Sequence, residues 1–223
     1  MKQILVVSAA VLIAGCAGNE PQIQQGPNAE TTFDGLVRID NSAFRDAWID
    51  PDIDLVVYDK IILGGADFEF RAVKKTPEVS SRRMNNTREF YISEDNRAKL
   101  VETVTEVFAE ELAKSKHFTV TTEPGPDTLV VVGVLHDIVS RVPPKLIGAG
   151  EIYLASVGEA TLVLELRDSL SGETIYRAVD RRAIESPGRD AINVNPVTTW
   201  AEVRRWARRW AVRLREGLDS VHQ

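Results

Sequence analysis

Residues 159–168 constrain the fold more than any other stretch. They read EATLVLELRD, with Ala160, Leu162, Leu164 and Leu166 at alternate positions and Glu159, Thr161, Glu165 and Arg167 between them. Successive side chains of a strand point to opposite faces, so this pattern specifies one apolar face against a core and one face toward water. Ser169, Leu170, Ser171 and Gly172 turn the chain, and residues 173–184 (ETIYRAVDRRAI) return as the hairpin partner. Arg177, Arg181 and Arg182 are read as outward-facing on the return strand, placed to pair across to Glu165 and Glu159. An apolar sheet face must be covered by another layer.

Two amphipathic helices can supply that layer. Ser93 is an N-cap for a helix over 93–114, and Glu94 and Asp95 follow where the helix dipole favours acid. Leu100, Val104, Val107, Phe108 and Leu112 form its apolar stripe, while Glu102, Glu106 and Glu110 stack at i, i+4 on a solvated side. Asn195 and Pro196 open a closing helix that runs to about Val221. Its stripe is Trp200, Val203, Ala207, Trp210, Leu214 and Val221, with Trp206 beside it. The opposite side carries Arg204, Arg205, Arg208, Arg209, Arg213 and Arg215, dense for a chain of formal net charge −6. A basic helix with tryptophans suits an anionic membrane surface, although a stripe this long also fits packing on a sheet. Arg204, Arg205, Arg208 and Arg209 are therefore candidate membrane or partner contacts, and reversing them to Glu is expected to weaken association more than it lowers the melting temperature.

The remaining segments fill in the sheet. Residues 54–63 (DLVVYDKIIL) read as a strand bounded by Gly64 and Gly65 and buried on both faces near the sheet centre, with 68–73 a short continuation. Residues 118–122 read as a short strand and 128–142 as the longest one. Val134, His136, Ile138 and Val142 share a face there, so His136 reads as a hydrogen-bonded core residue. Residues 33–49 read as irregular structure docked on the core, and 76–89 as a polar loop made basic by Arg82, Arg83 and Arg88. Residues 143–158 (PPKLIGAGEIYLASVG) break the strand pattern yet carry Leu146, Ile147 and Tyr153. This apolar loop either folds back over the core or offers a surface to lipid or a partner. The fold class read from this order is α+β: a single domain with a mostly antiparallel sheet and two main helices packed on one face.

The chain's start specifies its location. Met1 and Lys2 lead into an apolar run over 4–13 that is closed by Ala14, Gly15 and Cys16. The run is shorter than the roughly 20 residues that span a bilayer and has the form of a cleaved signal. It resembles a bacterial lipoprotein signal peptide ending in a lipobox, with Cys16 as the acceptor of the lipid, palmitate included. Cys16 is the chain's single cysteine, which leaves no disulfide and no thiolate metal site. Ala17 follows it, which by resemblance to enterobacterial sorting favours the outer membrane over the inner. Residues 17–32 are polar, with two prolines and two glycines, and read as a flexible spacer. The resulting domain map is a signal peptide over 1–15, a lipidated N-terminus and tether over 16–32, and the α+β domain over 33–223.

Several function classes find no support. The acidic balance argues against nucleic acid as a partner. Asp50, Asp52 and Asp54 suggest a calcium loop, but Leu55 and Ile61 stand where an EF-hand needs Gly and Glu, so no metal is assigned. Nucleophile-elbow, zincin, P-loop and dinucleotide motifs are absent, no cofactor is implied, and the reading is not an enzyme. Three segments, FDGLVRIDN…FRDAWIDPDIDLVVYDKIIL, YISEDNRAKLVETVTEVFAEEL and GEATLVLELRDSLSGETIYRAVDRR, resemble the DUF3313 family of bacterial lipoproteins. The resemblance supports the localisation and the fold and brings no activity with it. The expectation is a non-enzymatic lipoprotein at the periplasmic face of a Gram-negative outer membrane. It would be held by its lipid anchor and act on an envelope protein partner as an adaptor or assembly component. A lipid or lipopolysaccharide carrier is the alternative.

Overall fold

The structure, a computed structural model, describes residues 20–75, 79–80, 88–143, 146–147, 151–186 and 191–222. The elements in chain order are β1 (Gln22–Ile23), β2 (Val37–Asp40), β3 (Asp46–Ile49), a 3-10 turn (Leu55–Val57), β4 (Lys60–Phe70), β5 (Val79–Ser80) and α1 (Glu94–Leu112). Then follow β6 (Thr119–Val120), β7 (Thr128–Ser140), β8 (Leu146–Ile147), β9 (Tyr153–Leu154), β10 (Ser156–Asp168), β11 (Thr174–Glu185), β12 (Ile192–Asn193) and α2 (Pro196–Ser220). Eight strands form one sheet in the order β1-β2-β3-β11-β10-β7-β4-β6. It is antiparallel from β1 to β7, and β4 runs parallel to both β7 and β6. Parallel neighbours need a crossover connection, which α1 supplies between β4 and β7. Both helices lie on one face, as the α+β reading requires.

The alternation of β10 places the core. Ala160, Leu162, Leu164 and Leu166 are buried, and their partners across the sheet are Leu135, Gly133 and Val131 of β7 and Ala178 of β11. Val104, Val107 and Leu112 of α1 and Val203, Trp206, Ala207 and Trp210 of α2 close over them. Ser93 accepts from the Asn96 amide as N-cap, and Asn195 forms a capping box with Thr198, with Pro196 in the first turn. The outward pairing of the hairpin is also found: Arg177 donates to Glu165 at 2.8 Å and Arg181 to Glu159 at 2.7 Å.

Several sequence expectations are corrected. Arg182 pairs with Ala160 in the register and so lies on the helix side, where it donates to Asp180. Trp206 lies in the core at 1% exposure, whereas Trp200 is half-buried beneath Lys99. Residues 33–49, read as irregular, hold β2 and β3, short strands that extend the sheet beyond β11. The strand expected over 54–63 begins at Lys60, because the Asp54 side chain accepts from the Val56 amide and winds the preceding turn. Nor does it stop at Gly64 and Gly65; those residues form a bulge, and β4 runs on to Phe70. A Cβ on Gly64 would meet Val130 Cγ1 at 2.5 Å, and Gly65 sits at φ +99°, so both positions require glycine. β4 is next to the sheet edge instead of central.

The spacer read over 17–32 is shorter than expected. From Gln22 onward it is docked: β1 pairs with β2, the Glu30 amide donates to Gln24 Oε1 at 2.8 Å, and the Arg38 amide donates to the Glu30 carbonyl at 2.9 Å. Polar composition concealed this because the stabilising contacts are edge hydrogen bonds, not apolar burial.

Candidate interaction surfaces

The arginine face of α2 and the glutamate face of α1 meet each other. Arg204 donates to Glu110 at 2.5 Å and to Glu106 at 3.3 Å, and Arg208 donates to Glu111 at 3.0 Å and to Glu110 at 3.3 Å. Glu111 is buried; burial alone would raise its pKa, but the hydrogen bonds and charges of Lys114 and Arg208 hold it below the ordinary value. Arg205 donates to Glu202 one turn away at 2.5 Å, and Arg209 donates to the Glu185 carbonyl at 3.2 Å. Each of the four arginines singled out from the sequence thus has a partner within the chain.

Of the apolar loop residues, Tyr153 lies beside Asn193, just before the start of α2. Tyr153 is 54% exposed on β9, which pairs with β12, and its hydroxyl donates to Glu151 at 2.6 Å. Leu146 and Ile147 form β8, whose backbone pairs in parallel with β5. Val197, in the first turn of α2, is 79% exposed. Cys16 lies outside the described residues.

The outer face of the sheet carries a charged network around a bulge. Asp137 adopts φ 56° and is the extra residue of β7 opposite β10. Its carboxylate is held by Arg71, which also pairs with Glu89, and Arg71 keeps the Asp137 pKa low. The expectation for His136 is overturned. It alternates with Gly133 and Leu135 and so lies on the exposed outer face, opposite Thr161 and in hydrogen-bond contact with Glu69, while the bulge after it turns Ile138 into the core. Among the described residues no group of three or more His, Cys, Asp or Glu side chains converges as a metal site, and no helix is long and apolar enough to cross a membrane.

Between the β4 bulge and α1 the core leaves an apolar cavity of about 70 Å³. Gly65, Ala66, Gly133, Leu135, Val104 and Phe108 are among its lining residues. It exists because three of the facing positions, Gly65, Ala66 and Gly133, have almost no side chain. Sequence reasoning missed it: the glycines were legible as breakers, but their apposition depends on the parallel pairing of Ala66 with Gly133.

A family model described as "Protein of unknown function (DUF3313)" matches residues 33–214. The chain belongs to the DUF3313 family. Among curated proteins none matches the sequence. Solved structures with some likeness to this DUF3313 protein include a PelC dodecamer from Paraburkholderia phytofirmans, at 12% identity and TM-score 0.35, covering 71% of this chain and 89% of that one. A DUF330 protein from Xanthomonas campestris has 12% identity and TM-score 0.40, covering 78% and 90% respectively. A homologue of neuraminyllactose-binding hemagglutinin from Helicobacter pylori has 11% identity and TM-score 0.39, covering 74% and 89%. Scores this low say nothing about what the DUF3313 protein does.

Proposed function

We propose that this DUF3313 protein is a non-enzymatic cell-envelope lipoprotein, anchored through Cys16 at the periplasmic face of the outer membrane, that acts as an adaptor or assembly component. The observation that carries the adaptor reading over a lipid carrier is the small size of the apolar cavity found among the described residues. The apolar cavity of about 70 Å³ is far below the roughly 300 Å³ at which pockets for small-molecule ligands begin. The larger concavity, of about 850 Å³ beside β1, is lined mostly by polar side chains such as Gln22, Gln24, Asn28 and Asp40, which do not suit acyl chains. The short spacer supports close tethering: with residues docked from Gln22, the span from Cys16 to Gln22 is at most about 22 Å, so a lipid on Cys16 would hold the domain close to the membrane surface.

Cys16→Ser tests the anchor. The variant is expected to keep the melting temperature of the domain and to move from the membrane fraction to the soluble periplasm. Retention in the membrane fraction would exclude anchoring through this residue.

A further inference from the structure

β4 leaves most of one edge open. β7 pairs along one side of it, whereas on the other side β6 reaches only Lys60 and Ile61. Among the described residues no strand pairs with that side from Ile62 to Phe70, and Gly64, Gly65, Ala66 and Asp67 are exposed. An open edge is a template for another strand. Bulges commonly blunt such edges, but the glycine bulge lies at 64–65, and the second irregularity, between Phe68 and Phe70, comes from the extra residue of β7 on the paired side and not from the open one. Ala66 and Phe68 share the helix side with Gly133 and Leu135, and Asp67 shares the outer side with Val134.

The two sides of this edge offer different chemistry. On the helix side lies the cavity lined by Ala66, Gly133, Val104 and Phe108. Its volume of about 70 Å³ is less than half that of the roughly 150 Å³ apolar cavity known to take a benzene ring, so it accepts an aliphatic tip and not an aromatic. On the outer side Glu69 is occupied by His136, but Asp67 has no ion pair among the described residues. A strand laid along the edge would therefore place an aliphatic side chain in the cavity and a basic one beside Asp67, at alternate positions.

We propose that the open edge of β4 over residues 66–70, with the cavity under α1, docks an extended segment of a partner protein that alternates aliphatic and basic residues. Backbone hydrogen bonds supply the affinity and the cavity supplies the side-chain selection. The proposal deepens the adaptor reading and rests on it.

The test uses the full-length protein in detergent and two capped eight-residue peptides, one alternating valine with lysine and one alternating valine with glutamate. Hydrogen–deuterium exchange reads where each peptide binds, and fluorescence anisotropy reads how tightly. The valine–lysine peptide is expected to slow exchange over residues 66–70 and to bind about tenfold more tightly than the valine–glutamate peptide. Asp67→Lys should invert that preference. Gly133→Ala adds a Cβ that meets the Ala66 Cβ at an ordinary 3.6 Å, so the variant folds while losing part of the cavity. It should weaken valine–lysine binding by about fivefold or more without lowering the melting temperature. Protection elsewhere than 66–70, or none with either peptide, overturns the proposal, as does unchanged affinity in Gly133→Ala. Because Cys16→Ser fractionation tests the anchor independently, failure of the docking site leaves that result standing.

Discussion

Asp180 shows how one residue can set local architecture. It faces Leu162 on the helix side of the sheet, is 4% exposed, and accepts from the Trp210 indole at 2.8 Å, from Arg182 and, at 3.5 Å, from Arg213. A carboxylate buried among leucines is tolerated because three donors converge on one oxygen. It fixes α2 against β11 in one register, since the indole and the guanidinium come from different elements. Asp180→Ala would leave the Trp210 N–H buried without an acceptor and Arg182 without its counter-charge. The expected loss is about 3 kcal/mol, a fall of some 6–12 °C in melting temperature for a chain of this size. Asp180→Asn keeps an acceptor and should lose less. Equal melting temperatures for Asp180→Ala and wild type would show that the pair is not stabilising.

At the scale of elements, the α1–α2 contact changes what the arginines of α2 are expected to do. Arg204 and Arg208 face Glu106, Glu110 and Glu111, whereas Arg205 and Arg209 pair with Glu202 and the Glu185 backbone. Reversing Arg204 and Arg208 to Glu places five carboxylates along one helix seam. The expected cost is about 2–3 kcal/mol, more than an exposed pair because Glu111 is buried. Reversing Arg209, which meets only the Glu185 carbonyl, should cost less than about 1 kcal/mol, whereas reversing Arg205 would set a carboxylate against the buried Glu202 and belongs with the costly changes. Thermal unfolding of the Arg204/Arg208 double variant and of Arg209→Glu separates these outcomes, and an equal loss in both would contradict the seam. The expectation that all four arginines serve association more than stability therefore divides by residue: Arg204, Arg205 and Arg208 neutralise carboxylates of the fold, and Arg209 does not.

Over the whole molecule, carboxylates held ionised by neighbouring cations join distant segments. The hydrogen bond from Arg177 lowers the Asp34 pKa from 3.8 to about 2 and ties the turn before β2 to β11. Asp137 is lowered by Arg71, and Glu159 and Glu165 lie below the ordinary value because their arginine partners outweigh burial. A depressed acid binds fewer protons folded than unfolded, so its contribution is present above the unfolded pKa and is lost as pH falls through the folded one. Stability is expected to decline between about pH 4 and pH 2, with these pairs contributing nothing to any change near neutrality. Denaturant melts at several pH values check this, and Arg177→Gln should flatten the acid limb. An undiminished slope in that variant would remove Asp34 and Glu165 as its source.

Much of the fold follows from local pattern. The strict alternation of residues 159–168 and the caps at Ser93 and Asn195 each encode an element within a short window of sequence. The match across the hairpin of Arg177 to Glu165 and Arg181 to Glu159 was legible for the same reason: register follows from the turn. The sequence also carries the lipobox pattern at Cys16, a matter of short-range chemistry. Contacts between segments far apart in the chain arise from the packing alone. The bulge at Asp137 puts Ile138 and His136 on opposite faces, the docking of α2 along α1 joins two faces that each looked solvent-directed, and the parallel pairing of β4 with β7 brings Ala66 against Gly133. None of these has a local signature, because a one-residue bulge or a strand order alters no residue type, only which residues meet.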